Sequence, residues 1–111
     1  MTTNCVCSCG NVQFHIPNKP NEIAHCYCSI CQFLHNNQFA SFVRYDRKDI
    51  DLDESKLSQF KSSDRAIRYR CQSCHQWVCM IYNHSKFIWL VTDLFSFDLT
   101  EIETYDIYRS D

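Results

Sequence analysis

The sequence predicts a small, mainly β protein with very little helix. Three observations carry this expectation. Short runs of aromatic and β-branched residues recur along the 111 residues, within a composition that is 45% hydrophobic and 14% aromatic. These runs are broken at short intervals by Asn, Asp, Ser and Pro, since Gly10 is the one glycine in the chain. Seven of the nine cysteines gather in three tight clusters, which suggests cross-linking by metal rather than a large core.

The elements follow in order. Val12 to Ile16 alternates apolar and polar residues, as a half-buried strand does. Asn18 to Asn21 is a turn, and Ser29 to Asn36 forms one or two helical turns after a cysteine cluster. Phe39 to Tyr45 is strand-like. Asp49 to Phe60 fits neither period and reads as loop, turn and a short strand near Leu57 to Lys61. Ser62 to Asp64 is a further turn, followed by a strand over Ala66 to Arg70. Trp77 to Tyr82 and Phe87 to Thr92 are strands joined by a hairpin loop at Asn83-His84-Ser85-Lys86. Glu103 to Arg109 reads as a final strand.

Length and the absence of a linker or repeat predict one domain over residues 1–111. The net charge of −2 and the pI near 6.2 give no general attraction to nucleic acid or to anionic membranes. The longest greasy run, Phe87 to Val91, is strand-sized and far short of a membrane span. Met1 to Gly10 holds neither the basic region nor the apolar run of a signal peptide. These features lead us to expect an intracellular, cytoplasmic protein with reduced thiols. An odd cysteine count and Cys-x-Cys spacing, which would close a strained ring as a disulfide, agree with that.

Cys7, Cys9, Cys71 and Cys74 form a CxC and a CxxC pair. Two such turns supply the four sulfurs of a tetrahedral zinc site, with Zn–S distances of about 2.3 Å. This clamp would tie the start of the chain to its late middle, so its role is structural. Binding at such sites is worth on the order of 10 kcal/mol, comparable to the stability of a small domain. The competing reading is a set of buried thiols.

Cys26, Cys28 and Cys31 are spaced CxCxxC, so one loop can wrap three thiolates around a metal. With a fourth position open, such a zinc acidifies and holds a substrate thiol. With His25, His35, Cys5 or Cys79 as fourth ligand, the site would be closed. Spacing leaves both readings standing. Cys79 lies in a strand and reads as a core thiol, whereas Cys5 reads as a free thiol or an extra ligand. His15 reads as a strand-face residue, and His75 and His84 as solvated. Arg65, Arg68 and Arg70 read as a solvated strand face partnered by Asp64 and Asp46.

The clusters resemble, in order and flanking residues, the glutathione-dependent formaldehyde-activating enzyme family, which includes the centromere protein V domain. The matching motifs are Cys7-Ser8-Cys9-Gly10 with Val12 and Phe14, then His25-Cys26-Tyr27-Cys28-Ser29-Ile30-Cys31, then Tyr69-Arg70-Cys71-Gln72-Ser73-Cys74. Leu57 to Ser63 resembles the segment that precedes the third motif. The resemblance runs from about Cys7 to Asp98. It implies a zinc-bound antiparallel β-tent fold with two zinc ions per chain: one structural at Cys7, Cys9, Cys71 and Cys74, and one catalytic at Cys26, Cys28 and Cys31. It further implies an open second site and a carbon–sulfur lyase activity that joins glutathione to formaldehyde as S-hydroxymethylglutathione. The chain departs from the family pattern at His75 (for glycine), at Gln32 (for a basic residue) and near Asp93-Leu94, where a glycine is missing. None of these is a proposed ligand.

Two other functions compete with a lyase acting on glutathione or a similar small thiol. A non-catalytic zinc-stabilised interaction module would show two closed sites and an exposed aromatic or basic patch. A thiol redox enzyme of the methionine sulfoxide reductase B class would need a reactive cysteine outside the clusters, and only Cys5 and Cys79 are left for that.

Overall fold

The computed structural model describes residues 3–61, 64–95 and 99–107. Among these, nine strands and one α-helix follow in the order β1 (Thr3–Val6), β2 (Gln13–Ile16), β3 (Glu22–Cys26), α1 (Ser29–His35), β4 (Ala40–Asp46), β5 (Leu57–Lys61), β6 (Ala66–Cys71), β7 (Trp77–Tyr82), β8 (Phe87–Val91) and β9 (Glu103–Ile107). Single 3₁₀ turns cover 47–49, 54–56 and 92–94. The mainly β expectation holds. The strand near Leu57 is β5, and the ambiguous stretch before it is two short turns whose first N–H groups are capped by the Asp46 and Asp53 carboxylates. The expected strand from Glu103 is described to Ile107; Tyr108 and Arg109 lie outside the described residues.

β5 to β9, with β3 and β4, form a seven-stranded sheet in the order β5-β6-β7-β8-β4-β3-β9. Every pairing is antiparallel except β3 with β9. β1 and β2 pair as a separate hairpin, touching the large sheet through a bridge from Cys5 to Phe95.

Alternation along the strands gives the sheet two buried faces. On one, hairpin residues Cys5, Phe14 and Ile16 pack with Val43, Tyr45, Tyr69, Cys79, Ile88 and Leu90. On the other, Cys26 and Cys31 pack with Ala40, Phe42, Ala66, Met80 and Val91. Thus the hairpin covers one face, while α1 and the loop before it cover the other. β1 and β3 were not foreseen. Both run directly into cysteine clusters, where spacing for metal masks the strand pattern.

Candidate metal centre

The first cluster forms where the β1–β2 turn meets the turn after β6. Cys7, Cys9, Cys71 and Cys74 bring their sulfurs within 4.8 Å of one another. Cys7 and Cys9 Sγ are 3.6 Å apart, and Cys9 and Cys71 Sγ 3.7 Å. Zinc at 2.3 Å from each corner of a sulfur tetrahedron would separate those sulfurs by about 3.8 Å. The donor set therefore fits the metal. Backbone N–H groups already favour anionic sulfur here: Val12 donates to Cys7 at 3.3 Å, and Ser73 and Cys74 donate to Cys71 at 3.4 and 3.5 Å. Burial opposes ionisation of Cys71, but the N–H groups of Cys74 and Ser73 outweigh it and lower the thiol to about 6.

The turn closes at His75. Its φ of 64° places a non-glycine residue in the left-handed region that favours glycine. Gln76 joins the two ligand turns, its Oε1 accepting from the Ser8 N–H at 2.6 Å and the Ser8 hydroxyl at 2.8 Å.

The second cluster is built differently. Cys26 ends β3, Cys28 caps α1, and Cys31 lies in the helix's first turn. The capping group, which is ordinarily an oxygen, is here the Cys28 sulfur, accepting the Cys31 N–H at 3.3 Å. The three sulfurs also lie within 4.8 Å of one another. Cys26 Sγ is 3.5 Å from Cys28 and 3.0 Å from Cys31, so a bound ion would part the latter pair by less than 1 Å. Cys26 and Cys31 are buried, and Cys28 is half-buried.

The Arg68 guanidinium faces this cluster, donating from Nη2 to Cys31 Sγ at 3.1 Å. Contact with Cys26 lowers the Cys31 thiol to about 6 against its burial, and the Arg68 charge adds to the effect. Cys26 is pushed well above the usual thiol range, first by its contact with Cys31 and then by burial. Of the pair, Cys31 ionises first.

This corrects the sequence reading of Arg68. Rather than lying on a solvated face, it is 3% exposed and is the one buried charged residue among those described. Sequence alternation gave it no distinction from Arg65, which is exposed, or from Arg70, which is half-buried over the Trp77 ring at 5.3 Å.

None of the four candidate closing ligands joins the three sulfurs. His25 is one residue from Cys26 on a strand, so it points to the other side, stacking on Phe39 at 4.2 Å with Nδ1 3.8 Å from Asp106. His35 lies against Phe42 and Trp77 at 5.8 and 6.2 Å. Burial, reinforced by Arg68, lowers its pKa to about 4, so it is neutral at pH 7. Cys5 and Cys79 are core thiols of the opposite face, and burial pushes each up to about 12.

Two hollows involve α1 and its neighbours, and none of the three cysteines lines either of them. One, of about 250 Å³, is lined by Ser29, Ile30, Phe33, Leu34 and Phe60, and so includes the two residues between Cys28 and Cys31. The other, about 100 Å³, lies among His35, Phe39, Ser41 and Asp93. Gln32, which stands where the family's basic residue is expected, is exposed and donates from Nε2 to the Gln38 carbonyl at 2.9 Å. A separate cavity of about 190 Å³ around Cys79, Tyr69 and Ile88 belongs to the opposite face of the sheet.

The architecture and the thiol groups together define a small β protein with a four-sulfur and a three-sulfur cluster, each able to hold a metal ion. The chain belongs to the glutathione-dependent formaldehyde-activating enzyme family, whose model matches residues 2–103. No functionally curated protein matches it. Among solved structures, the crystal structure of a Rhodobacter sphaeroides protein shares the fold, with a TM-score of 0.72 at 15% identity, over 92% of this chain and 99% of that one. Among the described residues, no helix is long and apolar enough to cross a membrane.

Proposed function

We propose that this chain is one zinc-binding domain of the β-tent type, and a carbon–sulfur lyase that binds glutathione or a similar small thiol. Cys7, Cys9, Cys71 and Cys74 would hold a structural zinc, and Cys26, Cys28 and Cys31 a catalytic one. The observation that carries the reading is the trio of sulfurs with no fourth His, Cys or carboxylate beside them among the described residues. Membership of the family supports the choice of thiol and aldehyde. When bound at a three-cysteine site, zinc supplies Lewis acidity that lowers the pKa of a substrate thiol.

The residues contribute position and charge. The Cys28 cap fixes the loop to α1, and the Arg68 guanidinium offsets negative charge on the sulfurs. The 250 Å³ hollow beside Ser29 and Ile30 gives the rest of the thiol compound somewhere to lie. In the reaction the thiol proton leaves to solvent and the sulfur lone pair forms the C–S bond to formaldehyde. The carbonyl π pair moves to oxygen, which takes a proton from water. The product is the S-hydroxymethyl adduct, and the reverse direction cleaves the same bond. Thiolate ligands must stay reduced, so this reading places the protein in the cytoplasm.

The test is a metal count with a glutathione titration on the wild type and Cys28→Ser. We expect two zinc ions and calorimetric binding of glutathione in the wild type. The variant should fold with one zinc and show no binding. Equal affinity in both proteins, or none in the wild type, would overturn the proposal.

One observation favours an interaction module instead: Phe33 is 83% exposed and Phe60 43%. That reading requires a closed second site, so a cobalt-substituted protein whose spectrum ignores added thiol would support it. The methionine sulfoxide reductase reading is weakened by Cys5 and Cys79, since thiols buried and pushed up to about 12 make poor nucleophiles.

A further inference from the structure

Arg68 sits in the middle of β6, paired with Phe60 on β5 and Met80 on β7. A cation 3% exposed in such a place is costly unless an anion compensates it. No described carboxylate lies within ion-pair distance of it; the two such pairs found are His25–Asp106 and Lys61–Asp64. Among the described residues the one side-chain partner of its guanidinium is Cys31 Sγ, at 3.1 Å from Nη2. A neutral thiol is a weak acceptor and cannot offset a full charge, whereas a thiolate can. The Nε of Arg68 is also buried and has no partner among the described residues. The site therefore holds a fixed positive charge whose Nη2 faces sulfur, and a buried Nε–H donor left unspent.

We infer that Arg68 is the built-in counter-charge of the three-cysteine site, a positioning residue that shifts the choice of fourth ligand from a neutral group toward an anionic sulfur. The inference deepens the proposed function. Its reasoning is a charge count. A divalent ion with three thiolates carries −1, and a fourth thiolate makes −2 in a largely buried place. Arg68 brings these totals to 0 and −1. With Arg68 the fourth thiolate joins a neutral site; without it the same thiolate joins one already negative, and the balance moves toward a neutral donor such as water or imidazole.

The experiment uses the full chain loaded with cobalt, whose sulfur-to-metal charge-transfer band reports bound thiolate. Small probes, 2-mercaptoethanol and imidazole, compete for the fourth position in the wild type, Arg68→Met and Arg68→Lys. These probes are independent of glutathione recognition. Thus a protein that ignores glutathione but favours 2-mercaptoethanol loses the proposed substrate and keeps the role of Arg68.

In Arg68→Met the thiol-to-imidazole preference should fall by about tenfold or more, and zinc at the three-cysteine site should become easier to remove by a competing chelator. Metal at the four-cysteine clamp should be retained, which reports an intact fold. Arg68→Lys should recover most of the preference. An unchanged preference in Arg68→Met, or a Lys variant as impaired as the Met variant, would overturn the inference. If Arg68→Met does not fold, Arg68→Lys decides: keeping the wild-type preference supports the role of charge, and losing it refutes that role.

Discussion

The two cysteine clusters use the same ligand in opposite ways. The proposed four-cysteine clamp joins segments more than sixty positions apart in sequence, and its thiols include the exposed Cys9 and half-buried Cys74. Its sulfurs are served by backbone N–H groups. The three-cysteine site comes from a single loop of six residues, is more deeply buried, and is served by a charged side chain. A metal that closes a long loop stabilises the fold, because the unfolded chain loses most freedom there. A metal held within one short loop closes little chain entropy and is free to serve chemistry instead.

The sharpest way to break that contrast is to remove one ligand from each cluster. Cys71→Ser should cost several kcal/mol, a large share of the stability of a small domain, and leave much of the chain unfolded. Cys28→Ser loses a metal ligand but keeps a capping group, a hydroxyl in place of the sulfur, and should cost only about 1 kcal/mol. Thermal unfolding of both variants, with and without a chelator, measures the difference. If Cys28→Ser proved the more damaging, the division into clamp and working site would be reversed.

This contrast was largely legible before any coordinates. CxC and CxxC pairs far apart read as a long-range clamp, with buried thiols the competing reading, and CxCxxC reads as a local site. The aromatic and β-branched runs that became strands Trp77–Tyr82 and Phe87–Val91 were equally plain. What escaped were features that depend on layers. β3 contains Ala24 and ends in a ligand, so its sequence reads as the approach to a cluster. Arg68 shares a face with Ala66, and only the arrival of the Cys26–Cys31 loop over that face buries it. One signal was present: Ile67 and Tyr69 point to one side and Ala66 to the other, and both sides are apolar enough to be covered. That no fourth ligand joins the trio among the described residues was likewise unreadable, because it depends on strand parity sending His25 away from Cys26.

A third test concerns His35, which borders the three-cysteine site without joining it. Its folded pKa of about 4 lies below its ordinary value of 6.5, so the folded protein resists protonating it. The associated stability is fully present above pH 6.5 and is lost as pH falls through 4. The loss should approach about 2 to 3 kcal/mol, after allowance for partial exposure. His35→Phe keeps an aromatic ring against Phe42 and Trp77 but cannot be protonated, so its stability should fall less steeply over that range. Denaturant titrations of both proteins between pH 7 and 4.5 read the divergence, and parallel curves would remove His35 from the account. Protons also compete for the thiolates of both clusters. That contribution is common to the two proteins and cancels in the comparison.

The smallest effect returns to the clamp. His75 occupies φ 64°, where a side chain is strained and glycine is not. Its N–H donates to the Cys71 carbonyl at 2.9 Å, so the turn is held in this conformation whatever residue occupies it. The His75 side chain is exposed and is not among the ligands, so little is lost by deleting it. His75→Gly should therefore stabilise the protein by about 0.5 to 1 kcal/mol, less the extra freedom glycine gives the unfolded chain. The gain should be visible in the metal-loaded protein and shrink when the clamp metal is stripped, because the turn is then free to relax. A gain of equal size with and without metal would mean that the strain belongs to the backbone alone and is not imposed by closing the clamp.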